Sequence, residues 1–541
     1  MKKNELYDVM RNKETRKNFM SRALLSLGSF GAFVWFLVRV LPKPSRAQYP
    51  CMKASAPLAA YFVTSFLLPL SSVPLLGRGK SPIVKKALTL IAIVLSIGVL
   101  SGVGTMFVET SQRYGGLTEL SDLEGPNMPM GTGTGIYPGR VVWVHDADAT
   151  DENYSNGGDW FSNERTNLAA VQTMFSKGLQ NLTGTRNDAS AWDALFRNFN
   201  AAHGKGDTGY APGEKIAIKI NLNGTYVGES SINTSQQLCY ALLDHLVNTV
   251  GVAQSDISIG DTNVPPNPKM YALVLNGFPK VHFYDRMGRF TAPVGTTGDA
   301  IFASSGGKSN PLPQSYIEAS YIINVPVLKK HHRAGISLAA KNHFGSVALF
   351  NENGAFDWHY GLPVPDGGAD LSNGHNGVYR CLVDFMGHKD LGGKTLLYLV
   401  DGIWGSINWG HPAIKWRMSP FNNDWPSSLF LSQDPVAIES VGFDFLYHEF
   451  DRKNPAEGKY DRRDDHGPFP HYPGVDDYLH QAADQANWPK GIVYDPEHDG
   501  TPIGSLGVHE HWNNADDKQY SRNLGKSEGI ELVLLEDPWQ P

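Results

Sequence analysis

Short apolar runs rich in β-branched residues recur from residue 141 onward, and each one stops at charged or amide side chains. Residues 141–144 (VVWV) end at His145, Asp146 and Asp148, and residues 215–221 (KIAIKIN) place Lys219 and Asn221 at their exit. Residues 256–261 (DISIGD) and 281–285 (VHFYD) end in Asp261 and Asp285. The run that starts at Tyr321 (YIINVPVL) breaks into Lys329, Lys330, His331, His332 and Arg333. Residues 395–401 (TLLYLVD) close on Asp401-Gly402, and residues 428–434 (SLFLSQD) on Asp434-Pro435. Helical patterns lie between them at 163–182, 190–202, 234–250 and 436–450; Leu168, Val171, Met174, Phe175 and Leu179 fall on one face of the first. Continuous apolar runs alternating with helices predict an α/β fold, a mostly parallel sheet with helices on both faces. Ligands of such sheets bind beyond the carboxyl ends of the strands, so the polar termini are expected to meet on one rim. A single strand-terminal Asp is ordinarily a turn or helix cap. The expectation rests on the set.

The first 110 residues follow a different pattern and predict a membrane anchor of two or three transmembrane helices. Residues 24–41, apolar except for Arg39 near their end, and 87–108, without charge, each run over about the 20 residues that a bilayer requires. Residues 56–76 are also apolar but contain Pro57, Pro69 and Pro74, which interrupt pairing that lipid cannot replace. Lys2, Lys3, Arg11, Lys13, Arg16, Lys17 and Arg22 hold the amino terminus in the cytoplasm. Three spans then put the large domain on the periplasmic side of a bacterial inner membrane, whereas two return it to the cytoplasm. The stretch from Thr15 to Met20 (TRKNFM) resembles a twin-arginine export signal with lysine in the second arginine place, and Ser45-Arg46-Ala47 has the small residues of a cleavage site. Residues 111–139, rich in Gly, Pro and Met, read as a linker, 140–450 as the α/β domain, and 451–541 as an irregular His/Asp/Pro-rich covering layer closed by a strand at 530–535. Residues 351–377 lack periodicity and suit a lid carrying Asp357, Trp358, His359 and His375.

Composition narrows the chemistry. The 47 basic and 54 acidic residues give a net charge of −7, with no basic stripe for nucleic acid. Three cysteines (Cys51, Cys239, Cys381) include no CxxC spacing, so cysteine-held zinc, haem and iron–sulfur clusters have no ligand set. Nor is there a nucleotide-binding motif. Cys239 and Cys381 are expected as buried thiols, with a disulfide between them the alternative in an oxidising compartment. His509 and His511 alternate as on a strand face, but two imidazoles without a third ligand make a weak metal set.

The cationic strand ends supply the candidate site. Lys219, Lys329, Lys330 and Lys341 in one pocket would depress one another's pKa and hold a carboxylate or phosphate. Lys329, His331, His332, Lys341 and Asp401 are the expected catalytic groups. Lys219, Asn221, Lys330, Asn342 and Asp434 are the expected substrate contacts. His145, Asp146 and Asp148 form a candidate corner for a divalent metal. The function expected is an enzyme (hydrolase, lyase or isomerase) acting on a small anionic ligand. The alternative is a non-catalytic binding or docking module for an envelope protein, with the lipid bilayer as the other partner.

Several of these motifs recur in one order: Lys219-x-Asn221, Asn324-x-Pro326 leading to Lys329 and His331, Lys341-Asn342-x-x-Gly345, Asp401-Gly402 and Asp434-Pro435-x-Ala437. Residues 215–445 thereby resemble the DUF362 family of bacterial and archaeal proteins. The resemblance implies an α/β domain with a site at these motifs and no particular reaction. Some relatives carry ferredoxin-type clusters; this chain lacks those cysteines, so that role does not carry over.

Overall fold

The computed structural model describes residues 125–222, 228–262, 264–283, 300–347, 356–364, 373–450, 471 and 474–540. The three apolar stretches read as membrane spans lie outside them; among the described residues no helix is long and apolar enough to cross a membrane. The chain divides into two units at residue 116, and the second is the body described below.

Ten strands make the central sheet. In chain order they are β1 (Arg140–His145), β2 (Ile216–Ile220), β3 (Ile257–Gly260), β4 (His282–Phe283), β5 (Tyr321–Val325), β6 (Val327–His331), β7 (Gly335–Ser337), β8 (Thr395–Ser406), β9 (Ser428–Ser432) and β10 (Glu531–Glu536). Their order across the sheet is β10-β1-β9-β8-β5-β2-β3-β4, with β6 branching from β8 and β7 pairing β6. All run in one direction except β7 and β9, which are antiparallel to every neighbour. The sheet is therefore mixed and mostly parallel, as the apolar runs predicted.

Helices cover both faces. One half of the core joins the sheet to α1 (Leu168–Thr183), α2 (Asp188–Ala202) and α3 (Gln236–Asp244). The other joins it to α4 (Ala339–Asn342), α5 (Cys381–Gly387), α6 (Pro435–Glu449) and α7 (Asp477–Ala483). Strand alternation divides the residues: Leu397 and Leu399 of β8 pack with the first group, Tyr398 and Val400 with the second. Local chemistry sets the helix ends. Asn167 accepts the Ala169 and Ala170 amides to start α1, and Gly184 stops it in the left-handed region at φ 68°. Ser235 caps α3, and Asp434 followed by Pro435 starts α6. Cys239 and Cys381 are buried free thiols, one in each half of the core.

Two details position the site. Val325 ends β5 between β8 and β2; after Pro326 the chain continues as β6, which keeps β8 as neighbour and leaves β2. The sheet therefore splays open beside the end of β2. The expected closing strand, β10, does more than cover the domain: it forms the sheet edge, parallel to β1 over six residue pairs.

Candidate functional site

At the end of β2, Lys219 is wholly buried, and its ammonium donates to Asp261 Oδ2 (2.8 Å), Asn342 Oδ1 (3.0 Å) and the Ile220 carbonyl (2.6 Å). Three acceptors use all three of its protons. Asn342 in turn donates to the Lys219 carbonyl (3.1 Å) and to Asn324 Oδ1 (2.8 Å). Asn324 donates to the Ala339 carbonyl and to His343 Nε2, both at 3.0 Å, so the imidazole proton sits on Nδ1 and faces Ser346 Oγ at 2.9 Å. Burial, with the Lys219 charge, holds His343 down to about 3, and the ring is neutral. This network fastens β2, β3, β5 and α4 together. It leaves Lys219 and Asn342 no donors for a ligand, which corrects their expected role as substrate contacts. Gly345 lies against the same carboxylate: a Cβ there would fall 1.9 Å from Asp261 Oδ2, while its carbonyl accepts the Thr262 amide at 2.8 Å.

A second group of cations is less fully satisfied. Lys329 is 1% exposed, and its ammonium donates to Asn221 Oδ1 at 2.9 Å. Burial, reinforced by Lys219, lowers it to about 7. Lys341, 6% exposed, rests its ammonium 3.4 Å from the centre of the Phe344 ring and hydrogen-bonds to none of the described residues. It is also lowered to about 7, by burial first, with Arg333, Lys329 and Lys219 adding to the effect. His331 accepts the Arg333 and Ala334 amides at Nδ1 (3.1 and 3.2 Å), so its proton is on Nε2. Burial first, then the charges of Lys341, His332, His359 and Lys329, hold this imidazole well below its ordinary range. His332 stacks on it at 4.9 Å and turns its own ring toward Asn408. His359, 2.7 Å from Asp357, lies 5.3 Å from the Phe344 ring. Lys329, His331 and Lys341 thus make a cationic, largely desolvated corner at the splay beside β2, with the His359–Asp357 pair close by.

Other expected members lie elsewhere. Lys330 alternates with Lys329 along β6 and faces the opposite side, its ammonium 4.2 Å from the Phe450 ring. Asp401 points toward the α3 half of the core, where Oδ2 takes the Ser235 amide (2.7 Å) and Oδ1 the Ile403 amide (3.1 Å); burial raises it to about 6. It anchors the start of α3. Asp434 is at the wrong rim, because β9 runs antiparallel. There it caps α6 through the Val436 and Ala437 amides and takes the Thr134 and Val508 amides as well. The metal corner also does not form. His145 Nδ1 meets the Pro426 carbonyl at 3.1 Å, and Asp146 accepts the Asp148 and Trp539 amides as a turn cap.

Of the expected lid, residues 356–364 and 373–377 are described. Trp358 is fully buried against Phe385 and His375 is exposed, so the first is core and the second surface. Asp261, Asn324 and His343 were missed as site groups, although Asp261 stood at a strand end in the sequence. Two cavities of about 370 and 210 Å³ open away from the corner, one lined by Trp143, Pro420 and Lys518, the other by Phe199, Met386 and Tyr398.

Residues 216–444 match the family model described as a domain of unknown function, DUF362. The match runs from β2 into α6 and leaves out β1, α1, α2 and β10. No curated protein matches the chain.

Proposed function

We propose that the DUF362 segment binds a small anion, a carboxylate or phosphate, between Lys329, His331 and Lys341, and exchanges a proton with it. The Lys341 ammonium carries this reading: it is nearly buried yet meets no acceptor among the described residues, so a ligand oxygen completes its shell. His331 adds a neutral Nε2–H donor, and Lys329 adds the protons that Asn221 leaves over. Amines lowered to about 7 exist half as free base at neutral pH. One can therefore accept a proton from the ligand while the other neutralises it, which suits a lyase or isomerase better than a metal-dependent hydrolase.

Calorimetric titration of the full chain with inorganic phosphate and with succinate tests this. Binding is expected to take up protons near pH 8, because the bound anion raises both lysines. Lys341→Met is expected to weaken it about 10- to 100-fold, the worth of a hydrogen bond to a charged group. Equal affinity in wild type and variant would remove the site from consideration.

The compartment belongs to the same proposal. The basic leader and the apolar stretches of residues 1–110 support a tether that holds the domain on the periplasmic side. A reporter active only outside the cytoplasm, fused after Pro541, is expected to be active. A reporter that is silent there but active in its cytoplasmic form reverses the topology.

A further inference from the structure

The strand β10 leaves part of the sheet edge open. The amides of Glu531 and Asp537 donate to the Gly139 and His145 carbonyls, so the odd-numbered residues of β10 turn their backbone groups toward β1. Leu532, Leu534 and Glu536 turn theirs outward. Residues 522 and 523 cover the first part of this edge. The Arg522 amide donates to the Ile530 carbonyl at 3.1 Å. The Asn523 side chain meets both groups of Leu532, giving Nδ2–H to the carbonyl (2.9 Å) and taking the amide on Oδ1 (3.0 Å). For that one residue Asn523 stands where a neighbouring strand would. Beyond it, the outward amides and carbonyls of Leu534 and Glu536 meet no partner among the described residues. We infer that this stretch takes an extended, basic segment of a partner protein as an added strand, with an apolar residue against Leu534 and a lysine or arginine against Glu536.

The face beside the open stretch can receive side chains. Leu534 pairs with Trp143 and is 41% exposed, and both line the cavity of about 370 Å³ together with Pro420. The cavity walls are acidic: Asp516, Asp517 and Glu536 stand against Lys518, whose ammonium is held by the Ala515 carbonyl. Added antiparallel, one peptide residue opposite Leu534 and another opposite Glu536 would exchange four backbone hydrogen bonds with β10. Directly opposed residues share a face, so both peptide side chains fall on the cavity side. The first meets Leu534 and Trp143. The second, two positions earlier in the peptide, meets Glu536, Asp516 and Asp517. The recognised pattern is therefore basic-x-apolar. A second copy of this chain fits less well, because its own β10 would bring the same carboxylates against one another, and like charges opposed across strands destabilise the pair. Open edges invite unwanted pairing, and proteins ordinarily cover them. Here the cover ends at Leu532, and the next outward residue is an exposed leucine. Because β10 lies outside residues 216–444, this surface is separate from the lysine corner.

Fluorescence anisotropy with the full chain and a blocked, labelled peptide of sequence KTKTLTK tests the surface. Saturable binding is expected. N-methylation at the leucine and the central lysine, which removes the donors facing β10 and keeps every charge, should weaken it by about 10-fold or more. N-methylation at the threonines, whose amides face away, should leave it unchanged, and the peptide ETETLTE should not bind. Leu534→Lys is expected to abolish binding. Should that variant fail to fold by circular dichroism, Asp516→Asn with Asp517→Asn supplies the readout, a loss of about 3- to 10-fold. Absence of binding overturns the proposal. So does binding that N-methylation at the leucine and lysine does not change, which is adhesion of a cation to an acidic surface. A dimer in sedimentation equilibrium that Leu534→Lys dissolves overturns it as well and gives the edge to a second copy.

Discussion

Asp261→Ala is expected to cost the fold about 3–5 kcal/mol, because it strands a charged amine in an apolar interior. Lys219 is wholly buried, and Asp261 is the carboxylate it meets, at 2.8 Å. The Asn342 and Ile220 oxygens that remain solvate an ammonium without neutralising it. The double replacement Lys219→Met with Asp261→Leu should cost much less than the single one, since removing both charges removes the desolvation penalty along with the attraction. Urea unfolding of the three proteins supplies the comparison. A single variant within about 1 kcal/mol of wild type would mean that water or another carboxylate reaches Lys219.

The two open lysines should work against stability at neutral pH. Lys329→Met with Lys341→Met is expected to be the more stable protein at pH 7, with an advantage that shrinks steadily toward pH 10. The sign follows from the direction of the shifts: both amines sit near 7 when folded, against 10.5 when free. Between those values the unfolded chain holds protons that the native state gives up. Wild-type stability therefore rises with pH, relative to the variant, by about 1.4 kcal/mol per unit for each lysine. Below pH 7 both states are protonated and the penalty is fully present. The groups facing the amines (Lys219, Arg333, His331, His359, Asp357 and Cys381) are common to both proteins. A gap between the two melting curves that stayed constant from pH 7 to pH 10 would show that the lysines are ordinarily solvated.

The strands were legible because each is an uninterrupted apolar run, and β5 emerged with its start at Tyr321 as read. Strand direction was not legible. Nothing in SLFLSQD distinguishes a parallel from an antiparallel strand, and the 407–427 connection is long enough for either. The reversal of β9 alone removed Asp434 from the site. Facing was available but unused: strand alternation already separates Lys329 from Lys330. Partnership was the harder part. Lys219 and Lys329 look alike in sequence, and only the fold shows that one meets Asp261 and Asn342 while the other meets a single amide oxygen.

The place of β1 in the sheet has a consequence for how the protein is made. Its two neighbours are β9 and β10, so Trp143 finds Ser428 across 285 positions and Arg140 finds Glu531 across 391. During synthesis β1 emerges early and stays unpaired until both partners have left the ribosome. Contacts this distant in sequence fold slowly and leave an apolar strand open to aggregation meanwhile. Recombinant yield should therefore depend on chaperone supply more steeply than native stability alone suggests.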